Sequence, residues 1–127
     1  MEGQKPQLPP GLQLVQAYRP GGFTISGVRH VGSLLVLPDR VLPWAVTDPE
    51  ALDEAAFAPL RAVEPVPDIL VVGTGAAFVL LPHALRQAIR AWGPVVEVMT
   101  TPAGCRTYNV LLSEGRRVAA ALIALTE

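Results

Sequence analysis

Two short segments carry the residues whose types and spacing suit chemistry. Gly73-Thr74-Gly75 leaves an apolar run, Ile69 to Val72, where a dinucleotide enzyme would place its phosphate turn. That fingerprint needs a glycine or alanine three places after the second glycine, and Phe78 stands there instead. Two glycines supplying positive φ for a loop account for the pattern better, with Thr74 and neighbouring amides as a small-anion alternative. The second segment holds Thr100, Thr101, Arg106, Thr107 and Asn109 around the start of an expected helix. A helix N-terminus offers unpaired N–H groups and partial positive charge, and Arg106 adds a full one. On a helical wheel Asn109 falls about 40° from Cys105 and Arg106 about 100° from it. The structural reading has Asn109 bridging the helix to a neighbouring segment, Thr101 capping and Arg106 solvated or paired. The functional reading is a polar pocket at this end, binding a small anion or ligand.

Other chemistry is thin. Cys105 is the single cysteine, which excludes an internal disulfide and a thiolate zinc cage, and its place on an apolar stripe suits an inert thiol. His30 and His83 have no second ligand at a metal spacing, so no metal and no cofactor is expected. The serines lie in no nucleophile elbow, and no catalytic residue is assigned. Ten basic against eleven acidic residues give a formal charge of −1, and Arg116-Arg117 is too brief a basic run, so nucleic acid is not a partner. Lys5 is the only lysine, which excludes a phosphate loop that needs one.

These residues need elements to hold them. The 127 residues, half of them hydrophobic, suffice for one core, expected over 12–127 after a flexible tail at 1–11 that holds three prolines. Strands are predicted at Leu12 to Tyr18, Phe23 to Ser26, Ser33 to Leu37, Pro43 to Val46, Ile69 to Val72, Val95 to Met99 and Val118 to Leu125. The continuous apolar runs at 33–37 and 69–72 mark strands covered on both faces. Asp48-Pro49 opens a predicted helix running to about Phe57. Pro82 opens another, with Leu85, Ala88, Ile89 and Trp92 on one stripe and Gly93-Pro94 as its stop. Thr101-Pro102 opens the last, with Cys105, Tyr108 and Leu112 on one face and Gly115 as its end. A right-handed crossover then makes the strands at 69–72 and 95–99 parallel, within a three-layer α/β or α+β domain with a mixed sheet. The longest apolar stretch, Ile69 to Leu81, is too short to span a bilayer and is broken at Thr74. A lone thiol with no export signal suggests a cytoplasmic protein, monomeric or homodimeric.

Several motifs in order resemble one family. They are Gly21-Gly22-Phe23-Thr24-Ile25-Ser26-Gly27, Gly32 to Pro38, Pro43-Trp44, and Ile69 to Gly75. They continue with Leu81-Pro82, Leu85-Arg86, Val96 to Thr101, Cys105 to Leu112 and Glu114 to Leu122. From about Tyr18 onward the chain resembles the Mth938-like domain family, whose eukaryotic members include a mitochondrial assembly factor for respiratory complex I. The resemblance implies a β-plus-α, sheet, α layering with the last strand antiparallel to its neighbours. It brings no catalytic residues. It implies a non-catalytic binding or assembly role with a respiratory-complex subunit as partner, at the surface of the inner membrane. The alternative stays a ligand site or enzyme at Gly73–Gly75 and Thr101. Gly93-Pro94 and Pro102-Ala103-Gly104 depart from the family's usual residues, and Gly104 weakens the helix start by about 1 kcal/mol.

Overall fold

The computed structural model describes residues 11–126. The expected tail at 1–11 therefore lies, apart from Gly11, outside the described residues. Strands β1 (Val15–Arg19), β2 (Gly22–Ile25) and β3 (Val28–Val31) form an antiparallel three-stranded sheet. β3 was not foreseen. Ser26 (φ 49°) and Gly27 (φ 85°) make a two-residue turn with both φ positive, which returns the chain into β3. Val28-Arg29-His30-Val31, exposed except for a half-buried His30, has no buried face to announce it.

A five-stranded sheet forms the middle layer in the order β5-β4-β8-β6-β7. Its strands are β4 (Ser33–Leu37), β5 (Arg40–Trp44), β6 (Ile69–Gly73), β7 (Val95–Met99) and β8 (Val118–Leu122). β4 and β8 are buried throughout, as continuous apolar runs require when both faces are covered. β6 runs parallel to β7 and to β8, whereas β4 is antiparallel to β5 and β8. The sheet is mixed, as expected, but its last strand is antiparallel on one side only. Helix α3 (Thr101–Ser113) carries the chain back from β7, so the turn at Gly115 restores the direction of β7 and β6. β8 also stops at Leu122 rather than Leu125. Beyond it the chain still donates from Ile123 N–H to the Gly73 carbonyl and from Ala124 N–H to Ser33 Oγ.

The helix expected over 48–57 is broken into two 3-10 turns, Pro49–Ala51 and Glu54–Phe57, followed by the one-turn α1 (Ala58–Arg61). The cause is local. Asp48 accepts from Glu50 N–H and Asp53 from Ala56 N–H, so two carboxylates each start a turn within six residues. Helix α2 (His83–Trp92) follows the predicted stripe, with Leu85 and Ile89 buried. One core, around Leu35, Phe57, Leu70, Val72 and Ile89, lies between the sheet and the α1 and α2 layer. The other, around Phe23, Ile25, Val36, Val71 and Tyr108, lies under α3 and the small sheet. The layers are β plus α, mixed sheet, α.

Candidate functional site

The start of α3 is closed by its own chain. Thr100, not Thr101, is the N-cap: its hydroxyl accepts from Ala103 N–H at 3.5 Å. Thr101 is fully buried instead, and its hydroxyl accepts from Gly75 N–H at 2.8 Å and donates to the Ile123 carbonyl at 2.6 Å. Thr101 N–H donates to the Gly75 carbonyl at 2.8 Å, Pro102 has no N–H, and Gly104 N–H donates to the Thr100 carbonyl. The cap expected at Thr101 moves one residue back because that hydroxyl is needed inside, between β6 and the chain after β8.

The Gly73-Thr74-Gly75 loop is equally occupied. Thr74 N–H donates to the Met99 carbonyl at 2.9 Å. Its hydroxyl donates to the Ala77 carbonyl at 2.7 Å and accepts from Val79 N–H at 3.2 Å. Gly73 lies so close to α3 that a Cβ there would sit 2.8 Å from Thr101 Cα. Close approach of strand to helix is what this glycine supplies. Gly73, Thr74, Gly75, Thr100 and Thr101 are therefore brought together, into a seam where the Thr74, Gly75 and Thr101 amides are spent on the protein itself.

Asn109, Arg106 and Thr107 do not join that seam. The Asn109 side-chain amide is turned to β1, where Oδ1 accepts from Val15 N–H and Nδ2 donates to the Val15 carbonyl. Arg106 is exposed on α3, and Thr107 is half-buried a residue on. The eight candidates thus divide into a buried seam, a clamp and two positions on the helix surface. Cys105 is buried, and desolvation pushes its thiol up to about 12 against a smaller opposing effect of the Arg106 charge. A thiol so raised is not a nucleophile near neutral pH. Burial likewise raises the Tyr108 hydroxyl, with the Asp39 charge adding to it. Among the described residues no three or more His, Cys, Asp or Glu gather as metal ligands.

What the carboxyl end of β6 does present is apolar side chain. Phe78 and Leu80 are 55% and 67% exposed, on the loop that the Thr74 hydroxyl ties at Ala77 and Val79. Leu81 next to them is buried, so the loop is anchored at both ends while its middle faces solvent. A pinned loop holds its apolar side chains out at little further entropic cost to a partner. Phe78 entered the sequence reading only as the residue that spoils a glycine fingerprint. The signal was the apolar run continuing past Gly75 for six residues, to Leu81.

Comparison with known proteins fits this architecture. A family model described as "Protein of unknown function (DUF498/DUF598)" matches residues 15–123. An uncharacterised protein of Rhodobacter capsulatus is 40% identical over 115 residues, covering 91% of this chain and 87% of its own. The rat protein named NADH dehydrogenase (ubiquinone) 1 alpha subcomplex assembly factor 3 is 39% identical over 114 residues, and the match covers 90% of this chain. The match spans 62% of that relative, so less than two thirds of its length. Among solved structures, a Mth938-like domain from Bordetella pertussis superposes with a TM-score of 0.80 at 30% identity, covering 96% of this chain and 92% of that one. A Rhodopseudomonas palustris protein does so with a TM-score of 0.77 at 41% identity, covering 97% and 93%.

The cytoplasmic location expected from the lone thiol is corrected by these relatives, since the named ones are assembly factors of a ubiquinone-linked NADH dehydrogenase. A buried, unreactive thiol such as Cys105 carries no information about compartment. Among the described residues no helix is long and apolar enough to cross a membrane. With the family model matching residues 15–123 and the solved domains superposing over nearly the whole chain, the chain belongs to the family of Mth938-like domains.

Proposed function

We propose that this chain is a non-catalytic docking domain that assists assembly of a respiratory membrane complex. Its partner is a protein subunit of a ubiquinone-linked NADH dehydrogenase. The observation that carries this reading is the pinned loop with Phe78 and Leu80 held in solvent, an aromatic and an aliphatic anchor of the kind that protein interfaces bury. The names of the animal relatives, assembly factors of an NADH dehydrogenase, support this reading. The small-anion alternative at Gly73–Gly75 and Thr101 finds little support, because the amides it would use donate to Met99, Thr101 and Gly75.

The test is capture of dehydrogenase subunits from detergent-solubilised native membranes by the tagged chain. Replacing Phe78 and Leu80 together by serine removes two exposed side chains, so the fold should keep its stability within about 0.5 kcal/mol. Capture should fall at least tenfold. Undiminished capture by the double variant would refute this docking site.

A further inference from the structure

The two edges of the central sheet are managed differently. β5 carries Pro43, which cannot donate to an added strand, and the Trp44 indole at its end is tied to the Ala56 carbonyl. β7, at the other edge, has no proline and no fully buried residue, with Val95 and Glu97 exposed. Val95 N–H donates to the Asp68 carbonyl and the Met99 carbonyl accepts from Thr74 N–H, both at 2.9 Å. Residues 95, 97 and 99 thus turn their backbone groups towards β6. Strand alternation then directs the N–H and C=O of Val96 and Val98 outward, to the open side.

The ground beside this edge is basic. From Ile69 to Ser113 the only acid is Glu97, against Arg86, Arg90 and Arg106. Val96 and Val98 lie on the α2 side of the sheet, where a groove of about 170 Å³ runs between α2 and β7, lined by His83, Arg86, Gln87 and Arg90. Three of these have polar company: Arg90 donates to the Gly93 carbonyl, and Gln87 and His83 lie within 3.1 Å of each other. Arg86 does not. Its Nε is buried without a hydrogen-bond partner among the described residues. A buried donor left unpaired is costly, and a guanidinium is best answered by a carboxylate.

We propose that the open edge of β7 takes up an extended, acidic segment of a partner protein as a sixth strand. Main-chain bonds to Val96 and Val98 hold it, and carboxylates on its α2-facing side chains pair with Arg86. Alternate residues of such a strand point the other way, towards Val95, and are apolar. A second copy of this chain suits the edge poorly. Antiparallel pairing of β7 with itself sets the two α2 helices on one face, arginines towards arginines. The inference rests on the docking reading and adds where an extended part of the partner lies.

The test uses a synthetic hexapeptide of alternating glutamate and valine, blocked at both ends, titrated into the isotopically labelled chain. Amide exchange at Val96 and Val98 should slow at least tenfold. Arg86→Gln should weaken binding about tenfold, equivalent to about 1.4 kcal/mol. A peptide with lysine for glutamate, or with alternate amides methylated, should not bind. Unchanged exchange at Val96 and Val98 with millimolar peptide, or equal binding of the lysine peptide, overturns the proposal. So does protection that grows with protein concentration alone, which would assign the edge to a second copy. Peptide failure with capture still dependent on Phe78 and Leu80 removes the sixth strand and leaves the docking loop. Peptide binding with capture indifferent to those residues supports the sixth strand and removes the loop.

Discussion

The Asn109 side chain mimics a strand: its Oδ1 lies 2.9 Å from the Val15 nitrogen and its Nδ2 2.8 Å from the Val15 oxygen. One amide thereby satisfies both backbone groups of a buried residue and fastens the small sheet to α3. Asn109→Ala strands both groups, at a cost of about 1–3 kcal/mol in urea unfolding. Asn109→Asp keeps the acceptor but sets an ionised oxygen against the Val15 carbonyl near neutral pH, so its stability should recover as the pH falls and the protonated acid can donate. An alanine variant as stable as the parent would show that β1 is held by packing alone.

Thr101 plays a similar part inside the seam, between Gly75 and Ile123. Thr101→Val has nearly the same shape and leaves a buried N–H and a buried carbonyl unpaired. A loss of about 2–4 kcal/mol is expected, with Thr101→Ser restoring most of it. Equal unfolding midpoints for the valine and serine variants would contradict this.

Alkaline stability follows from the raised thiol. Cys105 ionises at about 12 in the folded chain and near 9.0 when exposed, so above pH 9 the unfolded state releases its proton first. The unfolded state then binds fewer protons, and stability falls as pH rises, by about 1.4 kcal/mol per pH unit between those values. Below pH 9 the contribution is flat. Cys105→Ala should remove this part of the slope, and native Cys105 should resist alkylation at pH 8. The raised Tyr108 hydroxyl acts in the same direction and leaves a residual slope in that variant.

Much of the frame was legible because punctuation and periodicity agreed. β7 begins and ends as expected, at Val95 and Met99, since Gly93-Pro94 and Thr100 bound an apolar run interrupted only by Glu97. α2 was set by Pro82, Gly93 and a clear stripe. β3 was hidden because an exposed edge strand has no apolar rhythm, and only Ser26-Gly27 hinted at a hairpin. The stretch 48–57 has a helix-start signal, but it comes twice, at Asp48 and Asp53.

Of the candidate residues, the approach of the Gly73–Gly75 loop to the start of α3 was legible, while the separate places of Arg106, Thr107 and Asn109 were not. Gly73 and Gly75 do meet Thr101, but the hydrogen-bond partners of the Thr101 hydroxyl stand 26 and 22 residues away, and that of Asn109 stands 94 away. Local sequence cannot show which hydroxyl is spent on a distant carbonyl. A polar residue on an apolar helix announces that it needs a partner, whether that partner is a ligand or the chain itself.

β8 is the innermost strand yet the last along the chain, between β4 and β6 with all five residues buried. During synthesis the ribosome has therefore released the hairpin β4–β5 and the β6–β7 pair before the ribbon that welds them exists. Until residues 118–122 emerge, two half-sheets wait with unmated inner margins, in need of shielding from other nascent chains. Without residues 118–122, β4 and β6 would lose their shared neighbour and the middle layer would come apart.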